Sequence, residues 1–199
     1  MLNALLKIFT LIGLILLLPI IAISAILILL EDGRPVFFIQ ERIGKDLKIF
    51  NIYKLRTMHK NTPNLGTHEV EKSSYLKTGS ILRFTKVDEL PQLLNFIKGE
   101  LLLIGPRPGL KTQLKLKDER LKREVFSVVP GISGLGQVLG YDMSDPVKLS
   151  KIDALYISNK SIQLDFKILV ATFFKPLRKS LMLRFRDQIK NIEETSEHV

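Results

Sequence analysis

Two neighbouring carboxylates, Asp88 and Glu89, stand at the predicted start of a helix. Pro91 has no backbone N–H and is tolerated only in the first turn of a helix, so it places the start near these residues. Acidic residues there commonly cap the helix. The same helix end also attracts phosphate, and with a divalent cation bound between them an aspartate can attack phosphorus. The spacing leaves both interpretations open.

Arg107 is a second candidate because prolines flank it on both sides, Pro106 and Pro108. They restrict the backbone, so the guanidinium would meet a ligand at low entropic cost. A guanidinium suits bidentate phosphate binding. A structural turn with an exposed arginine explains the motif equally well.

Lys54 and Arg56 lie two residues apart in a predicted strand, which places both on one face. They are either solvated surface residues or the lining of a pyrophosphate pocket. The glycine-containing segment Pro130–Gln137 is predicted as a loop that a ligand could approach closely. It matches neither the dinucleotide-binding nor the Walker pattern. His59 and His68 are expected to be ordinary surface histidines.

The elements that would position these residues indicate an α+β domain. Two strands with a turn near Gly44 are predicted over Val36–Glu41 and Lys48–Met58, followed by a polar loop over 59–80. The helix after Asp88 has an apolar face and ends at Gly99. The other predicted elements are a helix from Ser80 to Phe84, a strand over Leu101–Ile104, a charged helix over Lys111–Val125, an amphipathic helical region over Leu164–Ile189 interrupted at Pro176, and a frayed polar tail from Asn191 to Val199.

Before this domain, Ile8–Leu30 is almost wholly apolar, and such a helix rises roughly 35 Å, enough to cross a bilayer core. The stretch is too long for a signal-peptide core and has no polar face for a soluble protein. Pro19 should bend it, and basic residues follow it on the domain side. These features fit a re-entrant and a spanning helix equally. The predicted parts are an anchor over 1–32, a domain over 33–190 and a tail over 191–199.

The composition narrows the ligand chemistry. Lys and Arg exceed Asp and Glu by 30 to 20, and the net charge of +10 calls for an anionic partner: nucleic acid, lipid headgroups or phosphorylated substrates. Cysteine is absent, which excludes disulfides and cysteine-built zinc sites. The 3 histidines are scattered, so a metal would sit on carboxylates and phosphates, which favours magnesium or manganese.

The ordered motifs resemble one family. They are Pro35-Val36-Phe37-Phe38 with Gln40, Arg42 and Gly44; Phe50 with Tyr53-Lys54-Leu55-Arg56-Thr57-Met58; Leu82-Arg83; Asp88-Glu89-Leu90-Pro91-Gln92-Leu93; Asn95 with Lys98-Gly99-Glu100; Gly105-Pro106-Arg107-Pro108; Pro130-Gly131-Ile132-Ser133-Gly134; and Asp165 with Lys167. Together they resemble the bacterial sugar transferases, the monotopic phosphoglycosyl transferases, in the short form of that family.

The resemblance implies a reaction. The aspartate of the Asp-Glu pair, here Asp88, would attack the phosphorus next to the sugar of a UDP-sugar and release UMP. Undecaprenyl phosphate would then take the sugar phosphate from Asp88. Glu89 would orient groups, contact metal or handle protons. Mg²⁺ is the implied cofactor, held by Asp88 with Glu89 as a second candidate ligand. The implied substrate-binding residues are Lys54, Arg56, Arg83, Gln92 and Arg107.

The resemblance also implies a re-entrant, monotopic anchor in the bacterial inner membrane with the catalytic domain on its cytoplasmic face. Its implied partners are membrane lipids, the two substrates and, as candidates, downstream glycosyltransferases. The chain departs from the family at Leu18-Pro19, where Ser-Pro is common, and more mildly at Thr85-Lys86-Val87 and Leu135-Gly136-Gln137.

Two other functions compete with the enzyme. A catalytically silent membrane-anchored scaffold is disfavoured because the chain retains Asp88, Glu89, Lys54 and Arg107. A nucleic-acid-binding protein is suggested by charge alone, and no binding motif supports it. The segment Gly66-Thr67-His68 and Gly109-Leu110 with Gln113 and Leu116 resemble members that handle N-acetylated amino sugars. The motifs do not indicate the glycan pathway or the oligomeric state.

Overall fold

The computed structural model describes residues 2–63 and 72–194. Its helices are α1 (Leu2–Asp32), α2 (Lys77–Thr85), α3 (Leu93–Lys98), α4 (Leu114–Lys122), α5 (Leu135–Leu139), α6 (Pro146–Ser158), α7 (Ile162–Phe173), α8 (Lys175–Arg184) and α9 (Arg186–Glu194). Its strands are β1 (Phe37–Ile43), β2 (Ile49–Leu55), β3 (Leu102–Ile104) and β4 (Gly131–Ser133). The predicted α+β class is confirmed. The predicted sugar-related segment Gly66-Thr67-His68 lies outside the described residues.

The chain divides into two compact units. The first consists of Met1–Glu41 and Asn51–Glu100, and the second of Arg42–Phe50 and Leu101–Val199. The apolar helix α1 therefore shares a unit with the segment that carries Asp88. Each unit has its own hydrophobic core.

In the first unit, one face of α1 supplies the core. Leu14, Ile21 and Ile28 are buried and lie seven residues apart, which puts them on the same side of the helix. They cluster with side chains that include Leu55 of β2 and Leu82 of α2, and several of the partly buried residues packed against them, such as Val87 and Leu90, come from the segment around Asp88. The rest of α1 presents large apolar side chains outward, such as Leu16 and Leu30.

Helix α1 continues through Pro19 without interruption. Its segment Leu6–Asp32 is long and apolar enough, by length and composition, to cross a membrane, and most of its residues are not buried. The Ser24 hydroxyl donates to the carbonyl of Ile20 at 2.8 Å, within the turn that follows the proline. Whether the helix re-enters the membrane or spans it stays a prediction.

Strands β1 and β2 form a two-stranded sheet. The turn between them is a 3₁₀ segment over Lys45–Leu47 in which Asp46 and Leu47 have positive φ. The prediction of one strand over Lys48–Met58 is wrong at its far end. The strand stops at Leu55.

In the second unit, β3 and β4 pair in parallel, with Leu102 opposite Gly131 and Ile104 opposite Ser133. A Cβ at residue 131 would lie 2.1 Å from the nitrogen of Gly105, so this approach requires glycine. The predicted loop Pro130–Gln137 is therefore wrong: it contains β4 and the start of α5. Three strand residues that include glycine and serine give little strand propensity to detect.

Helices α5 to α9 enclose the core of the second unit, with Ile152, Tyr156, Leu164 and Ile168 at its centre. Helix α6 was not predicted. The predicted region Leu164–Ile189 is confirmed as helical but divides into three helices, α7, α8 and α9. The tail prediction is wrong as far as Glu194, where α9 ends, and 195–199 lie outside the described residues.

Helix α7 leaves large apolar side chains exposed, among them Phe166 and Phe173. Lysines and arginines stand among these residues in the sequence. The amphipathic character predicted for this region is thus present. Its contact with a membrane surface stays a prediction.

Candidate active site

Asp88 and Glu89 lie in a tight 3₁₀ turn, Val87–Gln92, that runs directly into α3. The predicted α-helix from Asp88 is wrong in type. Pro91 has no N–H to offer the carbonyl of Val87 four residues earlier, so this segment winds more tightly and α3 begins only at Leu93. The predicted end of α3 is confirmed, since Gly99 adopts φ 80°.

The turn buries two polar side chains, each of which has one atom without a hydrogen-bond partner among the described residues. Asp88 is 5% exposed and Gln92 is 3% exposed. Among the described residues, neither the Oδ1 atom of Asp88 nor the Nε2 atom of Gln92 has a hydrogen-bond partner. Buried polar atoms are normally satisfied, because leaving one unpaired costs about 1–3 kcal/mol. An acceptor and a donor left open in one turn are what a polar ligand or a cation would use.

The charges around Asp88 oppose one another. Burial raises the pKa of the Asp88 carboxyl, Lys54 counteracts this, Glu89 adds to it, and Arg83 and Lys86 counteract it again. The Nζ atom of Lys54 lies 2.8 Å from Oε1 of Glu89, and each side chain is 15% exposed. The structure thus brings the predicted residues Lys54, Arg83, Asp88, Glu89 and Gln92 to one part of the first unit. Three cations near two carboxylates form a setting suited to phosphate.

Arg83 is held in place by α2. Its Nη1 atom lies 3.3 Å from the hydroxyl of Thr57, and its guanidinium lies 4.7 Å from the centre of the Tyr75 ring. Helix α2 approaches the chain closely here, since a Cβ at Gly79 would lie 2.2 Å from the carbonyl oxygen of Thr57. This packing fixes the position of the backbone from which the Arg83 side chain extends.

Arg56 does not accompany Lys54. It is 5% exposed, and its guanidinium contacts the carboxylate of Asp32 and donates to the carbonyls of Pro35 at 2.5 Å and Gly33 at 2.7 Å. Asp32 also accepts from the backbone N–H of Lys60 at 3.0 Å. The Arg56 guanidinium holds the pKa of Asp32 well below its usual range, with further help from His59 and Lys60. These contacts tie Arg56 to the end of α1, and its phosphate-binding role stays a prediction without support from this geometry.

The end of α1 also positions α2. The carboxylate of Glu31 accepts from the backbone N–H groups of Lys77 at 2.6 Å and Thr78 at 3.0 Å. It therefore caps the helix that carries Arg83. We did not predict this role. The signal that could have revealed it is the Glu31-Asp32 pair, which closes the apolar stretch with two charges.

Arg107 belongs to the second unit, in a loop fixed by backbone bonds. Gly105 donates to Ser133 at 2.9 Å, and Gly131 donates to the carbonyl of Pro106 at 2.9 Å. Arg107 itself is partly buried and donates to the carbonyl of Ile132 at 3.5 Å. The rigid turn predicted around Arg107 is present, and its binding of phosphate stays a prediction.

Arg42 lies behind this loop and donates to the carbonyl of Pro108 at 3.1 Å. It is 8% exposed. Burial, together with the positive charges of Arg107 and Arg120, lowers the pKa of the Arg42 guanidinium to about 9. The loop therefore sits in a markedly positive environment.

A buried ion pair in the second unit escaped prediction. Arg120 donates to one oxygen of Asp153 at 2.6 and 3.0 Å, and the two side chains are 2% and 4% exposed. Burial raises the pKa of the Asp153 carboxyl, and Arg120 opposes that rise. Arg120 lies on the predicted charged helix, and Asp153 lies on α6, which was not predicted. No sequence motif surrounds either residue, so no local signal indicated their contact.

The predicted Mg²⁺ can be tested against the donors. Within 2–63 and 72–194, no group of three or more His, Cys, Asp or Glu side chains converges on one point. Mg²⁺ does not need such a group, because it is usually held by one or two carboxylates together with waters and substrate phosphates. The open Oδ1 atom of Asp88 next to Glu89 fits that coordination.

With its fold and site described, the chain can be placed among known proteins. Residues 2–179 match the model of the family described as bacterial sugar transferase. The chain belongs to this family, which confirms the resemblance found in the sequence.

Individual relatives carry more specific names. The sugar transferase EpsL of Bacillus subtilis is 40% identical over 158 residues, covering 79% of this chain and 78% of that protein. The UDP-N-acetylgalactosamine-undecaprenyl-phosphate N-acetylgalactosaminephosphotransferase of Aeromonas hydrophila is 38% identical over 77% of this chain. The UDP-glucose:undecaprenyl-phosphate glucose-1-phosphate transferase of Caulobacter vibrioides is 34% identical over 77% of this chain. The matched parts are 38% and 61% of those two longer proteins.

Proposed function

We propose that this protein transfers a sugar 1-phosphate from a UDP-sugar to undecaprenyl phosphate and releases UMP. The observation that carries the proposal is Asp88: a buried carboxylate with one oxygen unpartnered, among the positive charges of Lys54, Arg83 and Lys86. The relatives named for the same overall reaction support it.

In the first step, an oxygen of the ionised Asp88 carboxylate attacks the phosphorus that bears the sugar. The bond between that phosphorus and the bridging oxygen breaks, and UMP leaves with the electron pair. An aspartyl sugar-phosphate remains on the protein. Total charge is conserved, so no proton has to be supplied in this step.

In the second step, a phosphate oxygen of undecaprenyl phosphate attacks the same phosphorus. The acyl–phosphate bond breaks, Asp88 recovers its carboxylate, and the sugar leaves as a polyprenyl diphosphate. Lys54 and Arg83 stabilise the charge on the transferred phosphoryl group. We assign to the Gln92 amide, whose Nε2 atom has no hydrogen-bond partner among the described residues, a hydrogen bond to a phosphate oxygen. Arg107 is retained as a proposed phosphate ligand on the strength of the family resemblance.

Asp88, with Glu89 as a second candidate, would hold Mg²⁺, which when bound neutralises part of the diphosphate charge. Lys54 holds Glu89 through the contact of 2.8 Å, and this contact orients the second carboxylate of the pair. This arrangement does not support the silent-scaffold alternative, because a scaffold does not require an unsatisfied buried carboxylate.

We place the protein at the cytoplasmic face of the bacterial inner membrane, anchored by α1 as a re-entrant helix. Long exposed apolar surface on α1 supports a membrane anchor. Membrane lipids would then be partners, with downstream glycosyltransferases as candidates, and the step would begin the assembly of a capsule, exopolysaccharide, lipopolysaccharide or glycoprotein glycan. For the sugar we keep an N-acetylated amino sugar. Gln113 and Leu110 are two of the residues that suggested this sugar. The Gln113 side chain accepts from the backbone N–H of Leu110 at 2.9 Å.

The test uses the full-length protein in lipid discs with Mg²⁺. A panel of UDP-sugars is offered with and without undecaprenyl phosphate, UMP release is measured, and the protein's intact mass is recorded after donor alone. We expect one sugar to give lipid-dependent UMP release and, without acceptor, a mass increase of one sugar phosphate. Asp88→Asn should abolish both.

Each other result has a clear meaning. UMP release that persists in Asp88→Asn would exclude Asp88 as the nucleophile. Turnover by the wild type that requires donor and acceptor together, with no mass increase from donor alone, would exclude the covalent intermediate. A folded protein that releases no UMP with any donor would favour the scaffold.

A further inference from the structure

Helix α2 carries an apolar surface that the proposed chemistry has not used. Ile81 is 65% exposed and Phe84 is 88% exposed. They lie three residues apart, so they share one side of the helix. Between them, Leu82 is 6% exposed and packs into the core with α1. The outer side of α2 is therefore an unpartnered apolar stripe directly before the Asp88 turn.

Cations are interleaved with this stripe. Arg83 stands between Ile81 and Phe84, and Lys86 ends the helix with a left-handed backbone at φ 63°. Lys86 lies directly before the Asp88 turn, and its backbone carbonyl accepts from the N–H of Glu89 at 3.2 Å. The charges of Arg83 and Lys86 both lower the pKa of the Asp88 carboxyl. The segment 81–86 thus presents two large apolar side chains and two cations directly before the turn that carries Asp88.

Of the two proposed substrates, only one combines these chemistries. The nucleotide sugar is polar throughout and gains nothing from an exposed phenylalanine. The acceptor is a single phosphate with a hydrocarbon chain attached directly to it. When its phosphate lies at Asp88, the first isoprene units must lie against a neighbouring apolar surface, because their exposure to water is unfavourable.

We propose that Ile81 and Phe84 bind the first isoprene units of the lipid acceptor while Arg83 and Lys86 bind its phosphate. This inference rests on the proposed function and assigns the acceptor's side of that site. Exposed apolar residues elsewhere, such as Phe166 on α7, lie in the second unit and are not part of this stripe. They provide a matched control.

The first experiment reads binding without turnover. Asp88→Asn protein in lipid discs is irradiated with a three-isoprene phosphate that carries a diazirine on its first isoprene unit, and the labelled peptides are mapped. We expect the label on 77–86, and competition by unlabelled undecaprenyl phosphate should remove it. Labelling confined to other segments, or labelling of 77–86 that the competitor leaves unchanged, would overturn the proposal.

The second experiment separates the half-reactions. In the double variant Ile81→Ala/Phe84→Ala we expect the KM for undecaprenyl phosphate to rise roughly tenfold or more, because both large apolar contacts with the lipid are removed. The loss should appear in acceptor-dependent turnover and not in the acceptor-free burst of UMP. It should be equal for a three-isoprene and an eleven-isoprene acceptor, because only the first units touch α2.

Phe84→Leu should keep the KM within about twofold of wild type, since leucine preserves most of the apolar contact. Phe166→Ala, which removes a phenylalanine that is 66% exposed, should leave it unchanged. An equal rise in Phe166→Ala, or an unchanged KM in the double variant, would mean that the stripe contacts the bilayer rather than the acceptor. If the wild type shows no UMP burst, the proposed function fails, whereas the labelling result still decides where a polyprenyl phosphate binds.

Discussion

Asp88 in the first unit and Asp153 in the second are both buried aspartates, and they differ in how they are satisfied. Burial raises the pKa of both carboxyls. Asp153 receives two hydrogen bonds from the Arg120 guanidinium, at 2.6 and 3.0 Å. Asp88 has cations nearby, yet its Oδ1 atom has no hydrogen-bond partner among the described residues.

This difference is what we expect between a structural carboxylate and the proposed nucleophile. Asp153 is closed off by its partner, so it offers nothing to a ligand and anchors α4 to α6. The unpaired oxygen of Asp88 lowers the stability of the fold, and functional sites commonly carry such a cost. Both carboxyls are buried and both have a raised pKa, so these properties do not distinguish them. They differ in whether a hydrogen-bond partner satisfies the carboxylate.

The largest expected effect follows from replacing Asp88. Asp88→Asn should reduce UMP release by about 10⁴-fold or more, as removal of a covalent nucleophile does in other enzymes. The fold should survive. Asp153→Asn should give the opposite result, with UMP release retained and a lower melting temperature. It removes no reacting group but weakens the bond that holds Arg120. Acceptor-dependent UMP release and the melting temperature, measured on both variants, test the contrast. A substantial residual rate in folded Asp88→Asn protein would contradict it.

The stability of Asp88→Asn should also depend on pH. The folded-state pKa of Asp88 is raised, so folding favours its protonated form, and wild-type stability falls as pH rises from the ordinary aspartate range through that raised pKa. Asparagine does not ionise. The variant should therefore melt higher than wild type near neutral pH, and the difference should vanish in acid. A gap that widens in acid would mean that Asp88 is stabilised when ionised.

The next effect concerns the closed pair. Arg120→Met should lower the free energy of unfolding by about 3–5 kcal/mol, because it leaves the Asp153 charge buried without a partner. The double variant Arg120→Met/Asp153→Leu should recover most of that loss. For comparison, Lys190→Ala breaks an exposed pair with Glu194 at 3.7 Å, which should cost less than about 1 kcal/mol. Urea unfolding of the three variants measures the series, and a double variant no better than Arg120→Met would refute it.

The sequence singled out Asp88 as a candidate and did not single out Asp153, for a physical reason. Asp88 stands in a local motif, with Glu89 beside it and Pro91 three residues on, so its setting could be inferred from neighbours in the chain. Asp153 and Arg120 meet through tertiary packing, 33 residues apart. No local pattern encodes that contact. For the same reason the Glu31 cap on α2 was missed.

Local rules also failed where tertiary contacts override propensity. Lys54 and Arg56 would share a face if β2 continued, but Asp32 and nearby carbonyls draw the Arg56 guanidinium away. The strand β4 was taken for a loop because its glycine signals flexibility in sequence and close packing in the structure. The apolar character of α1 and the amphipathic helices were predictable, since both depend on composition and periodicity alone.

The smallest predicted effect tests the charges around Asp88 by sign. Lys54 lowers the pKa of that carboxyl and Glu89 raises it. In the proposed mechanism the ionised form of Asp88 is the nucleophile, so the rate of the acceptor-free UMP burst should fall in acid as Asp88 becomes protonated. Lys54→Met should move this acidic limb to higher pH, and Glu89→Gln should move it to lower pH.

Opposite shifts are the informative result, because both variants also disrupt the 2.8 Å contact between Lys54 and Glu89. Damage to that contact alone would change the burst rate in the same direction in both variants without separating their pH profiles. Lys54→Arg keeps the charge and should leave the limb near its wild-type position. If both substitutions moved the limb the same way, the group that titrates would not be Asp88, and the open carboxylate would lose its role as the reacting group.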